Sequence, residues 1–261
     1  MNSENFIPAV LLVCFAGLST AIGSVIAFVS GRRDPTALGF SLGFSAGVML
    51  YVSFVEILGA ARESLTLAYG AGQASWLTVA AFFSGILIVG VIDRLVPEAE
   101  NPHEIHNSCD KRLMRVGLTT ALAISIHNFP EGFATFLASM ESPTMGIPIA
   151  IAIAIHNIPE GISVSMPIYC ATGSRRKALL WSSLSGLSEP LGAIAGYFIL
   201  RRFFSPALFG MAFASVAGIM VFISLDELLP AAETYGKHHY CIYGVIAGMA
   251  VMAISILLLG E

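Results

Sequence analysis

Basic residues are scarce in the long apolar stretches of this 261-residue chain. Charged residues of both signs make up 11% of the sequence, hydrophobic residues make up 56%, and the mean hydropathy is +0.80. This composition excludes an ordinary soluble domain and indicates an integral membrane protein in contact with the lipid bilayer. The net charge of −4 gives no sign of a nucleic-acid partner.

Cysteine is sparse as well. The four cysteines, Cys14, Cys109, Cys170 and Cys241, form no C-x-x-C pair, which argues against both a disulfide framework and a thiolate metal site. The sequence also lacks the HExxH pair of zinc proteases, and its apolar runs lack the ExxH pattern of di-iron bundles. We therefore predict no catalytic residues, no bound cofactor and no enzymatic activity.

Apolar runs occupy almost the whole chain. At a rise of about 1.5 Å per residue, a helix of about 20 residues crosses a bilayer core of about 30 Å. We therefore predict an all-α polytopic membrane protein with eight transmembrane helices in a single domain, residues 1–261. The first run exceeds the core of a signal peptide and is predicted to be a retained span. The eight spans are predicted at about residues 6–29, 38–60, 75–95, 116–139, 146–170, 178–200, 207–229 and 240–259.

The distribution of basic residues predicts the orientation. Ten of the 13 Lys and Arg residues lie in the loops that follow odd-numbered spans, and the positive-inside rule assigns this side to the cytoplasm. Both termini are then expected on the non-cytoplasmic side of the cell (inner) membrane. The longest predicted cytoplasmic loop, residues 97–115, contains His103 and His106. It either receives metal ions or is a plainly solvated loop.

One six-residue phrase occurs twice near the middle of the chain, as HNFPEG from His127 to Gly132 and as HNIPEG from His156 to Gly161. In each copy the histidine and glutamate are i and i+4, and the asparagine and glutamate are i and i+3, so the three side chains share one helix face. The two spans are joined by a short link and are predicted to be antiparallel neighbours whose polar phrases meet near the bilayer midplane. Pro130 and Pro159 lack an N–H group, which predicts a kink in each helix.

A longer likeness connects the two halves of the chain. AGVMLYVSFVEILGAA from Ala46 to Ala61 matches AGIMVFISLDELLPAA from Ala217 to Ala232, and Glu56 aligns with Glu227. Because one segment is an even-numbered span and the other an odd-numbered span, the two copies run in opposite directions. This pattern is typical of an inverted repeat, here spans 1 to 3 and 6 to 8 around a central pair.

The predicted spans contain carboxyl groups but no clear Lys or Arg. Apart from Asp93, which lies next to Arg94 at the boundary of the third span, there are six carboxyl groups: Glu56, Glu131, Glu160, Glu189, Asp226 and Glu227. An ionised carboxylate at the bilayer centre costs at least about 2.5 to 3.5 kcal/mol, so protons or metal ions must supply the positive charge. Glu56 and Glu227 lie nearer to span ends, and an ordinary interfacial position is an equal alternative for them.

The central polar groups make a mixed nitrogen and oxygen ligand set. The seven candidate metal ligands are His127, Asn128, Glu131, His156, Asn157, Glu160 and Glu189. Such a set suits Zn²⁺, Fe²⁺, Mn²⁺ or Co²⁺ and lacks the thiolates that favour Cu⁺. Glu131 and Glu160 are placed to bridge two ions about 3.5 to 4 Å apart. The alternatives are a purely structural polar network, an intramembrane metal-dependent hydrolase or oxidase, and a metal-sensing receptor.

The paired phrase, the SGLSEP segment that contains Glu189 and the eight spans together resemble the ZIP family of divalent metal transporters, closest to its bacterial zinc-transporter branch. The resemblance covers nearly the whole chain. It implies uptake of metal as the transported substrate through a 3+2+3 helix bundle, often a homodimer, with a binuclear centre. It also implies the ligands of each ion: His127, Glu131, His156 and Glu160 for one, and Asn128, Glu131, Asn157, Glu160 and Glu189 for the other.

Overall fold

The computed structural model describes residues 5–29, 34–95, 108–141, 143–199 and 205–259. Within these ranges the regular structure is helical, without a β-strand. Two π-helical turns, Val52–Ile57 and Ser224–Leu228, join α2 to α3 and α9 to α10. The α-helices are α1 (Phe6–Val29), α2 (Pro35–Tyr51), α3 (Leu58–Tyr69), α4 (Ala71–Leu95), α5 (Ser108–Glu141), α6 (Pro143–Thr172), α7 (Arg175–Gly186), α8 (Ser188–Phe198), α9 (Pro206–Ile223), α10 (Leu229–Tyr235) and α11 (His238–Leu259).

These elements form eight helical segments in the described part of the chain. Two of them, Pro35–Tyr69 and Pro206–Tyr235, run through a π-helical turn, and a third consists of α7 and α8 with a break at Leu187. Six described segments are long and apolar enough to cross a membrane. The other two, α5 and the α7–α8 pair, contain polar site residues. The predicted all-α membrane fold is confirmed.

Helix α1 shows how the surface is divided between protein and lipid. Its large apolar side chains, such as Ile7, Leu11 and Leu18, are exposed, as expected for a surface that faces hydrocarbon. Its buried face consists mainly of small residues, among them Gly17 and Thr20. In a membrane, small residues at helix interfaces allow backbones to approach closely. The polar atoms inside the bundle are therefore enclosed by tightly packed helices.

The helix packing has the two-fold pattern of an inverted repeat. Helix α1 packs along α6, and α8 packs along α5; likewise α11 packs along α2, and α4 packs along α9. A two-fold rotation that exchanges spans 1 to 3 with spans 6 to 8 also exchanges α5 with α6. This rotation converts the contact of α1 with α6 into that of α8 with α5, and the contact of α11 with α2 into that of α4 with α9. The 3+2+3 inverted-repeat architecture predicted from the sequence is therefore confirmed.

The two π-helical turns repeat the symmetry in their hydrogen bonds. The N–H of Leu58 donates to the carbonyl of Ser53, and the N–H of Leu229 donates to the carbonyl of Ser224, each five residues earlier. The hydroxyls of the same two serines donate to the carbonyls four residues before them, at 2.6 and 2.8 Å. Each turn contains one of the two aligned glutamates. Such π-turns are rare and often mark functional sites.

Helix α5 begins at Ser108, within the loop predicted for residues 97–115. Hydropathy locates only the apolar part of a helix, whereas Lys and Arg are good helix formers and allow α5 to continue beyond the apolar stretch. His103 and His106 lie outside the described residues.

The central prolines do not interrupt their helices. Helices α5 and α6 continue through Pro130 and Pro159, since a proline removes one hydrogen bond of the ladder and leaves the others in place. The irregular backbone lies instead at the two π-helical turns and at Leu187. Leu187 directly precedes α8, so the break places Glu189 in the first turn of a new helix.

Candidate metal centre

The two copies of the HNxPEG phrase face each other where α5 and α6 pack together. The imidazole rings of His127 and His156 have centroids 6.3 Å apart. All seven predicted site residues are buried, and the most exposed of them, Glu131, is 9% exposed. The structure therefore brings the predicted polar residues into one enclosed region between helices.

Glu131 is at the centre of the histidine side of this region. Its Oε1 lies 3.0 Å from His156 Nε2, and its Oε2 lies 3.3 Å from His127 Nε2. Glu160 Oε1 lies 3.8 Å from His127 Nε2. One ligand atom from each of His127, Glu131 and His156 falls within 4.8 Å of the others. Ligands of a single Zn²⁺ ion at about 2.0 to 2.2 Å from the metal lie roughly 3 to 4 Å apart, so this spacing is close to that of a metal site.

Hydrogen bonds anchor the two asparagines on the other side of the region. Asn157 Nδ2 donates to Glu189 Oε1 and to the carbonyl of Ala16, the latter at 2.9 Å. Asn128 Nδ2 donates to the carbonyl of Ser185 at 3.3 Å. Because each amide nitrogen is bound to protein, each amide oxygen remains available as an acceptor or metal ligand. The structure thus joins Glu189 to the asparagine side of the region through Asn157.

Buried atoms without hydrogen-bond partners are concentrated here. Leaving such a group unsatisfied costs about 1 to 3 kcal/mol, and more for a charged group. A cluster of them in a native fold calls for an explanation such as a bound ion. Three of these atoms, His127 Nε2, Glu131 Oε2 and His156 Nε2, take part in the ion pairs given above but make no hydrogen bond of good geometry. The others are His156 Nδ1, Asn128 Oδ1, Asn157 Oδ1, Glu160 Oε2 and Glu189 Oε2, so all seven predicted site residues contribute.

The glycine that ends each phrase has a packing role. A Cβ atom on Gly132 would collide with the backbone of Glu189, and one on Gly161 would collide with the backbone of Thr20. Both glycines lie inside regular helices and have no positive φ. These positions therefore require a small residue so that α8 and α1 can approach the centre closely.

Glu56 is a site candidate that the sequence did not distinguish from an interfacial residue. It lies on the π-helical turn between α2 and α3, its Oε2 is buried without a hydrogen-bond partner, and it interacts electrostatically with His156, Glu131 and His127. Its alignment with Glu227 was the one signal of a special position. Asp226, on the other π-helical turn, is exposed and is not among the clustered residues.

The assembled groups are suited to holding a divalent ion. The described ion pairs of Glu131 and Glu160 are with histidines, and a neutral imidazole supplies no positive charge. A dication would neutralise two carboxylates and accept the free nitrogen and oxygen atoms as ligands.

Comparison with known proteins agrees with this chemistry. The ZIP Zinc transporter family matches residues 96–256. The chain is similar to proteins named zinc transporter ZupT: 57% identical to that of Chlorobium chlorochromatii and 58% identical to that of Streptococcus mutans, each over 98% of this chain and 99% of the relative. A third, from Nitratidesulfovibrio vulgaris, is 57% identical over 99% of both chains. The chain is a multi-pass membrane transporter and not an enzyme, and it belongs to the ZIP family of zinc transporters.

Proposed function

We propose that this protein carries Zn²⁺, and also Fe²⁺, Mn²⁺ or Co²⁺, from the outside or the periplasm into the cytoplasm. One observation carries the proposal: buried carboxylates and imidazoles with unsatisfied ligand atoms meet between α5 and α6, in the interior of a helical membrane bundle. The relatives named zinc transporter support zinc as a substrate. The metal is cargo, so the protein needs no resident cofactor.

The proposed centre holds two ions that share Glu131 and Glu160. One ion lies on the histidine side, and the other lies on the side of the two asparagines and Glu189. The short distances from Glu131 to both histidines support a bridging role for this carboxylate. Amide and water ligands on the second ion bind less tightly than thiolates would, which favours release at the end of transport.

The membrane potential is a sufficient driving force in this proposal. Ten basic residues in the loops after odd-numbered spans orient this side toward the cytoplasm. A divalent ion that enters across 100 mV, negative inside, gains about 4.6 kcal/mol, twice the value for one charge. The protein would lie in the inner membrane with both termini outside, and the family resemblance makes a homodimer the expected assembly.

The helix contacts suggest which parts move. Helices α1, α5, α6 and the α7–α8 pair pack on one another around the centre, whereas α2 packs mainly with α11, and α9 with α3 and α4. Alternating access would arise when the first group slides or rocks against the second.

A potential-driven influx of Zn²⁺ tests the proposed function directly. Proteoliposomes that contain a zinc-responsive dye should brighten after Zn²⁺ is added outside, and a potassium diffusion potential, negative inside, should increase the final accumulation. Reversal of the potential should decrease it, since each ion carries two positive charges. Empty liposomes provide the control. A dye response no larger than in empty liposomes would contradict the proposal.

The asparagine side gives a second test, with Asn157→Ala. This change removes an amide oxygen of the second ion and also the donor that holds Glu189. We expect a shift in the preference among Zn²⁺, Fe²⁺ and Mn²⁺ that exceeds the loss of Zn²⁺ flux, measured by competition uptake at equal expression. An equal loss for every metal would contradict separate roles for the two sides.

A further inference from the structure

The two-fold symmetry extends to single residues around the asparagines. A Cβ on Gly23 would strike the carbonyl of Ile158, and a Cβ on Gly192 would strike that of Phe129. In the same way, Asn157 donates to the carbonyl of Ala16 while Asn128 donates to that of Ser185. In both pairs of contacts, the equivalent residues of α5 and α6 are 29 positions apart in the sequence. The equivalent residues of α1 and of α7 or α8 are 169 positions apart. The symmetry therefore assigns a partner in α1 to each residue of α7 and α8 near the centre.

The partner of Glu189 is Thr20. Their backbones occupy equivalent places, because Gly161 approaches the carbonyl of Thr20 as Gly132 approaches that of Glu189. Gly17 and Gly186, one turn before each, contact one another. Thr20 consequently has the same relation to Asn128 that Glu189 has to Asn157.

At this pair the chemistry of the two repeats differs. Glu189 accepts a hydrogen bond from Asn157 and keeps Oε2 without a partner. Thr20 is 0% exposed, and its hydroxyl has no hydrogen-bond partner; Asn128 Oδ1 has none either. Ser24 and Thr120 also have fully buried hydroxyls without a partner, but the hydroxyl of Thr20 stands where the other repeat has a carboxylate.

We propose that Thr20 is the neutral counterpart of Glu189 at the second metal position and holds a water ligand of that ion. This inference rests on the proposed binuclear centre. The two-fold rotation exchanges the residues proposed to bind the second ion, such as Asn128 and Asn157. The ion would therefore lie near the rotation axis, between Glu189 and Thr20. The hydroxyl of threonine is attached to Cβ, two carbons short of the reach of a glutamate carboxylate, and one water molecule fills that difference.

The asymmetry has a functional consequence. Two carboxylates facing each other across the ion would add a full negative charge to the second position, and cation affinity rises with the number of charged ligands. A hydroxyl and a water in place of one carboxylate keep the ion exchangeable. Thr20 is therefore a residue that sets the affinity and release of the second ion.

Stepwise Zn²⁺ titration of the purified protein in nanodiscs, together with the metal content of the dialysed protein, tests this assignment. Thr20→Val removes the hydroxyl at nearly constant shape, and because that hydroxyl has no protein partner, the fold should tolerate the change. We expect the first ion to bind as in the wild type and the second about tenfold more weakly. Thr20→Ser should restore wild-type binding, and Thr20→Glu should tighten the second ion and slow the release of metal.

Thr78→Val is the matched control. Thr78 is buried on α4, and its hydroxyl donates within that helix to the carbonyl of Ala74 at 2.8 Å, so both ions should bind as in the wild type. If Thr20→Val also binds both ions like the wild type, the proposed role of Thr20 is wrong, whereas the proposed binuclear centre is retained. If the wild type itself binds fewer than two ions, the binuclear proposal is wrong, and the role of Thr20 falls with it.

Discussion

Glu160→Ala is expected to abolish metal uptake, with an initial rate at least about 100-fold below that of the wild type. Removal of a group that only supports a ligand already costs 10- to 100-fold in metal affinity or activity, and Glu160 is proposed to bind both ions directly. Its side chain is 1% exposed, Oε1 lies 3.8 Å from His127 Nε2, and Oε2 has no hydrogen-bond partner. The measurement is the initial rate of Zn²⁺ influx into proteoliposomes with equal amounts of reconstituted protein.

This loss should occur without loss of the fold. A buried carboxylate with an unsatisfied oxygen destabilises the metal-free protein, so its removal should not lower the unfolding temperature. Glu63→Ala is the matched control, because Glu63 is exposed on α3 and should transport like the wild type. Near wild-type uptake by Glu160→Ala would contradict the assignment of this residue as a shared ligand.

Gly161→Ala should destabilise the protein by about 2 to 3 kcal/mol, toward the upper end of the range for overpacking. The added methyl group would lie 2.8 Å from the carbonyl carbon of Thr20 and 3.2 Å from Cα of Gly23. Both neighbours are backbone atoms of α1 that no rotamer change can move aside. Helix α1 must then shift away from α6, and the second metal position widens with it. Thermal unfolding in detergent gives the stability, and Zn²⁺ titration gives the binding.

Gly59→Ala is the control for Gly161→Ala. An added Cβ at Gly59 meets nothing within 4 Å, and an exposed helical glycine gains about 0.5 to 1 kcal/mol when alanine replaces it. The two substitutions should therefore change the unfolding temperature in opposite directions. Equal changes in unfolding temperature at both positions would show that the close approach of α1 to α6 contributes little to the stability of the fold.

The fold was predictable from the sequence because the bilayer restricts the available structures. Apolar runs of spanning length can only form helices or close into barrels, and the likeness between Ala46–Ala61 and Ala217–Ala232 already implied an inverted repeat. The sequence did not show where helix α5 begins or where the backbone departs from a regular α-helix. Helix α5 extends past its apolar part to Ser108, and Glu56 and Glu227 lie on π-helical turns. Neither feature produces a hydropathy signal.

Six of the seven candidate metal ligands were predicted from spacing, since polar residues at i and i+4 in two adjacent helices share facing surfaces. Glu189 was predicted as a carboxylate in the middle of another apolar span. The common burial of all seven is visible only in the structure. The packing role of the motif glycines was not predictable, because it follows from contacts with distant residues such as Thr20 and Glu189. The electrostatic interaction of Glu56 with the histidines also connects segments that are distant in the sequence.

Extended X-ray absorption at the zinc edge, on purified wild-type protein in lipid after dialysis against Zn²⁺, tests the central claim most directly. Dications held between α5 and α6 should give a shell of nitrogen and oxygen atoms at about 2.0 to 2.2 Å with imidazole scattering. That imidazole signal should be lost when both His127 and His156 are replaced by alanine. Protein that retains no zinc, or a sulfur shell at about 2.3 Å, would contradict the account.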